Sequence, residues 1–355
     1  MEYDSIDLLE EVRSDGSTDK LRKDPYIKVW LLNLVIPGRY GRWLTSATIF
    51  GFLYGCFSLL GVFDTAHPEL FSSGAAFFFC VILAYIIPIY HYITERTEVE
   101  LHNLDPVLAL DDVAREHLEH VISHKHRVWY AWVLCIGLLM GLGHNLLLSG
   151  SLAVLLTMFN ASSAAGSMLL ATIMVWVVMT FALAGLIDNA LIFARLAGKS
   201  VVDLLNTAAL TPFARVAVFS TLAVIGAQAS LPFMLIDGYV SPLAYVPGII
   251  ATCGPMFLLF ALPVWPIHRA IARAKNSRIA ELNAAIGQEP DPDLTQPETL
   301  AGLNSLLSFR REIQLVSEWP FDVSVVTRLG LYLIIPPLTW VGAALGENLV
   351  EALIR

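Results

Sequence analysis

Three sets of side chains in this sequence could do chemistry. The first is a row of histidines, His117, His120 and His124, at positions i, i+3 and i+7. On a helix that spacing puts all three on one face. Imidazoles so placed could hold a soft divalent ion or form a pH-sensitive surface, which makes them the candidate metal ligands. The spacing is not the H-E-x-x-H zinc pattern and no cysteine joins it, so a solvated polar helix face is the simpler expectation. The second set is Asp188 with Asn189, the one carboxylate well inside an apolar run. An acid at that depth costs about 3 kcal/mol unless it is paired or wet, which marks an ion pathway. The plainer alternative is a hydrogen bond to a neighbouring helix near the inner boundary. The third set, His144-Asn145 and Gln228, completes the candidate ion pathway. Each of these could also simply bond between helices, worth about 0.6 kcal/mol.

The elements that must position these groups follow from composition. Of 355 residues, 56% are hydrophobic and 15% charged, and the mean hydropathy is +0.64. Soluble chains carry roughly 25% charged residues, so this one belongs to the membrane class. Seven apolar stretches are long enough to cross a bilayer: 45–63, 75–94, 128–148, 167–193, 216–236, 243–267 and 325–346. With the spans fixed there, 21 of the 22 Lys/Arg fall on one side. That bias puts the N-terminus in the cytosol and the C-terminus outside. The expected fold is all-α, a polytopic bundle of seven transmembrane helices with a helical hairpin in the cytosol.

In chain order, residues 1–27 read as a disordered cytosolic tail and 28–43 as a helix lying in the inner interface. Residues 44–267 carry transmembrane helices 1–6, 268–320 the cytosolic hairpin, and 321–355 the last crossing helix. The loop between spans two and three is acidic, with Glu95, Glu98, Glu100, Asp105, Asp111, Asp112, Glu116 and Glu119. It ends in Lys125, His126 and Arg127 before Trp129 and Trp132, an expected anchor to anionic headgroups. Residues 149–166 read as an apolar outer loop, re-entrant if functional. Gly51/Gly55, Gly137/Gly141 and Gly342/Gly346 have the spacing of close helix contacts. Span six holds Pro247, Pro255, Pro263 and Pro266 and should kink and end at Trp265. The hairpin helices that follow are amphipathic and fold back within the chain or into a bundle with other subunits. In span seven, Pro336 and Pro337 form a hinge, and Arg328 with Asp322 couples the hairpin to it.

The elements Pro263-Val264-Trp265-Pro266-Ile267-His268-Arg269, Glu318-Trp319-Pro320-Phe321-Asp322 and Ile335-Pro336-Pro337 together resemble a group of uncharacterised bacterial multi-pass membrane proteins. The likeness covers the last third best. It implies a bacterial inner-membrane location and brings no activity, cofactor or ligand with it.

No Walker loop, G-x-S-x-G elbow or H-E-x-x-H helix occurs, so no catalytic residues, enzyme activity or cofactor are expected. The expected partners are the lipid bilayer and further copies of the chain, and nothing suggests nucleic acid. The reading these features favour is an oligomeric, cation-preferring channel gated through the cytosolic hairpin and the proline-hinged last helix. A membrane scaffold or sensor with a cytosolic protein partner is the alternative, and a secondary transporter using Asp188 the third.

Overall fold

The computed structural model describes residues 26–63, 73–108, 112–235, 242–287 and 297–321, with the isolated positions 327 and 334. Among the described residues the fold is all-helical, 86% helix in 11 helices. The strand pairing among the described residues is three residues long: β1 (Tyr26–Lys28) runs antiparallel to β2 (His124–His126), with Ile27 opposite Lys125. The helices in order are α1 (Trp30–Asn33), α2 (Gly41–Leu59), α3 (Ser73–His102), α4 (Asp105–Leu108), α5 (Asp112–Ser123), α6 (Arg127–Ser149), α7 (Leu152–Ala161), α8 (Ser163–Lys199), α9 (Thr211–Gln228), α10 (Pro242–Gly287) and α11 (Pro297–Leu315).

Among the described residues, five helical segments are long and apolar enough to cross a membrane: Ser73–His102, Arg127–Ser149, Ser163–Lys199, Thr207–Met234 and Val246–Gly287. They correspond to expected spans two to six. The expected first span forms α2, which at 19 residues is long enough, but Arg42, Thr45, Ser46, Thr48 and Ser58 dilute its apolar character and it is not among the five. The expected seventh lies outside the described residues. The apolar stretch is 67% buried in α3 and 22% in α6 and α10, so α3 is central and the other two show one face outward.

Four expectations about local structure need correcting. Tyr26 and Ile27, placed in the expected tail, belong to the strand β1. The 28–43 stretch is not one interfacial helix. After the single turn of α1, Pro37 and Gly38 (φ 122°) interrupt it before α2 starts. Val29 and Leu31 are 0% exposed, so this segment is built into the core. The 149–166 stretch is mostly helix, with Ser151 capping α7 and Ser162 capping α8 through their side-chain oxygens. Finally, span six does not end at Trp265. The 46-residue α10 runs through all four prolines. Each interior proline costs about 3 kcal/mol. Around Pro263 and Pro266, burial of Val264, Ile267 and Ile271, all at or below 1% exposure, offsets this at about 1.5–3 kcal/mol apiece. The hairpin folds back within the chain, as α11 packs on α10 with Ile313 and Leu282 buried.

Two hydrophobic cores stack along the bundle. One joins α2, α3, α6 and α8 and contains Tyr90, Phe181, Leu186 and Ala190. The other, at the Lys/Arg-rich end, gathers the ends of α3 and α8, the start of α9 and the middle of α10 around Leu101, Phe193, Phe213 and Ile267.

Candidate functional site

Asp188 and Asn189 lie on α8 where the first core gives way to the second. They stand between Leu186 and Ala190, both of the first core, and about one turn before Ile192 of the second. The cation that meets them arrives from β2. Successive side chains of a strand point to opposite faces. In β2 that alternation leaves His126 exposed and His124 half-buried while turning Lys125 inward, to 2% exposure. Its ammonium makes an ion pair with Asp188 Oδ2 and donates to Asn189 Oδ1 at 3.1 Å.

The three groups differ in their access to water. Lys125 and Asn189 are buried, whereas about a third of the Asp188 side chain, 35%, is open. Burial pulls the Lys125 pKa below the ordinary lysine value, and the Asp188 carboxylate opposes it only in part. Asn189 Nδ2 is buried and makes no hydrogen bond. One turn away, Tyr90 reaches Gly185 so closely that a Cβ there would lie 2.3 Å from its hydroxyl oxygen. That oxygen is buried too. The centre is thus a single buried positive charge held by one carboxylate and one amide, with polar capacity left unused around it.

β1 fixes β2 in place. Besides the ladder, Val29 N–H donates to Ser123 O at 3.0 Å, and Tyr130 Oη donates to Lys28 O at 2.7 Å. The expected headgroup anchor is therefore only partly present. Lys125 points into the protein, His126 caps α6 by accepting from Val128 N–H, and Trp129 packs on Phe181. Trp132, 66% exposed, remains outward.

The other singled-out residues do not converge on this centre. His144 accepts from Trp176 Nε1 at 2.8 Å, and Asn145 donates to Leu169 O at 3.0 Å. Trp176 is about 18 Å along α8 from Asp188 at 1.5 Å per residue. Gln228 donates to Thr252 Oγ1 at 2.7 Å, joining α9 to α10. All three make the interhelical bonds that were their simpler expectation.

The three histidines do not share a helix face, because α5 ends at Ser123 and His124 belongs to β2. His117 is buried, and the His120 and His124 rings stack with centroids 3.9 Å apart. Burial, with His120 alongside, holds His124 below the usual imidazole pKa. Among the described residues no three His, Cys, Asp or Glu side chains are grouped to hold a metal ion. Asp322, Arg328, Pro336 and Pro337 lie outside the described residues.

A second polar junction closes the charged arm. His268 Nδ1 lies 3.0 Å from Glu318 O, and its ring stacks on Trp319 at 4.1 Å. Lys275 donates to Val316 O at 2.9 Å and pairs with Glu318 at 3.4 Å. Phe260 stacks on Phe321. The Pro263–Arg269 and Glu318–Phe321 elements, separate in sequence, thus form one contact.

Sequence reasoning missed Lys125 as a site residue. The available signal was the demand of a buried carboxylate for a cation close to the inner end of a span. No family model and no curated protein sequence matches the chain.

Proposed function

We propose that the protein conducts cations across a bacterial inner membrane as a homo-oligomeric pore, with seven crossings and its amino terminus inside, controlled by the cytosolic arm of α10 and α11. The observation that carries this reading is the continuity of α10, which joins an apolar crossing segment to a charged arm in one helix. A force on the arm therefore reaches the membrane without passing through a loop. The contacts of His268 with Trp319 and of Phe260 with Phe321 tie the start of the terminal segment to the same helix. Arm, crossing helix and terminal segment then move together. Outer connections without Lys or Arg favour cations over anions at the pore mouth. The outward faces of α6 and α10 are available to lipid or to neighbouring copies.

Planar-bilayer recording of the purified protein tests this. Unitary currents selective for sodium or potassium over chloride are expected, with W319A altering open probability and leaving selectivity unchanged. No unitary current at any pH or voltage would sink the pore.

A second reading is favoured by the Lys125–Asp188 ion pair: a secondary transporter with its cation or proton site at Asp188. It predicts gradient-driven uptake into proteoliposomes without unitary currents, and loss of that uptake in D188N.

A further inference from the structure

Resting on the ion-translocation reading, in either its pore or its transporter form, we infer that Asp188 and Asn189 form a binding site for a monovalent alkali cation, which Lys125 occupies as a tethered substitute and vacates when the ion enters. The lysine ammonium holds the position a bare cation would take, against Asp188 Oδ2 and Asn189 Oδ1. Carboxylate and amide oxygens are the hard donors that such ions choose. Exchange of one single positive charge for another keeps the centre electrically balanced. A divalent ion would leave an extra positive charge beside Leu186 and Ala190 of the first core, where an uncompensated charge is strongly disfavoured.

The open third of Asp188 gives an ion a way in, on the side that Lys125 does not cover. Lys125 can withdraw without unpairing β2, because its ammonium rides on a flexible four-carbon stem. The buried Asn189 Nδ2 makes no hydrogen bond, so the lysine engages only the oxygen side of this amide and leaves its donors unsatisfied.

The test is residue-specific reductive methylation of the full-length protein at fixed pH, read by peptide mass spectrometry at Lys125. Sodium, potassium or lithium chloride is compared with choline chloride at equal ionic strength. Displacement predicts that methylation of Lys125 rises several-fold with at least one alkali ion and not with choline. In D188N, Lys125 should be methylated faster than in the wild type and without dependence on the alkali ion. Unchanged Lys125 labelling in the wild-type protein with all three ions would overturn the assignment, and this arm needs no variant to fold. An equal response to choline, or an alkali-ion response that persists in D188N, would overturn it too. The readout requires no ion flux. Displacement without flux rejects translocation and keeps the site, and flux without displacement does the reverse.

Discussion

The pairing of Lys125 with Asp188 stabilises chiefly by preventing something worse, a buried lysine without a counter-charge. Removing one partner of a buried pair costs about 3–5 kcal/mol, whereas replacing both with neutral groups of similar size is often close to neutral. D188N, which leaves the buried Lys125 without a counter-charge, is therefore expected to lower thermal stability in detergent strongly, K125M, which leaves a carboxylate one third open, to lower it less, and K125M/D188N to recover most of the D188N loss. Additive losses in the double variant would show that the pair does not act as a unit. A pH effect follows from the same residue. Because burial lowers the Lys125 pKa, the folded chain releases this proton at a pH where the unfolded chain still holds it. Between those two values the unfolded state binds more protons, so the unfolding free energy rises with pH. The penalty of burying the charge is complete below the folded value and relieved as pH climbs towards the ordinary lysine range. The Tm of the wild type relative to K125M should accordingly rise with pH between those two values; a flat difference would contradict it. Asp188 could be singled out from sequence because a carboxylate in an apolar run has few bland explanations. Lys125 could not, because it stands among basic residues and its inward aim comes from pairing with a strand far upstream.

At the level of elements, two glycine pairs with the same spacing have different surroundings. A Cβ on Gly137 would lie 2.9 Å from Val177 Cα, and one on Gly141 would lie 2.7 Å from Ile173 Cα, so α6 and α8 meet backbone to backbone. Gly51 and Gly55 on α2 have nothing within 4 Å of that position. Gly141→Leu should force the helices apart and lower Tm by several degrees, an overpacking cost of about 1–3 kcal/mol. Gly51→Leu should leave the Tm of the isolated chain unchanged; thermal melts of both variants check the contrast. In the arm, W319A removes the ring stacked on His268, and hydrogen exchange over α11 should quicken while exchange over α3 stays as it was. The sequence pattern reveals the amphipathic hairpin and the five long apolar helices. It misleads at Trp265, because proline reports a local backbone cost and burial of Val264, Ile267 and Ile271 comes from distant partners.

For the whole molecule, composition points to an apolar helical bundle, and five helices of crossing length are present. The proposed orientation predicts that a cysteine introduced at position 276, in the arm, reacts with a permeant maleimide in intact cells and not with an impermeant one. Reaction with the impermeant reagent would invert the topology. A chain that fails both current and uptake measurements would return to the scaffold alternative, with the exposed face of α11 as the place to seek a protein partner. What remained illegible at this scale is how the chain's beginning reaches its middle. Three residues, Tyr26–Lys28, complete the ladder that aims Lys125 at Asp188. That strand is therefore the brace behind the buried lysine. A chain lacking Tyr26–Lys28 would lose the brace while keeping the residues of every described helix, so a change made within this short strand acts on the heart of the bundle.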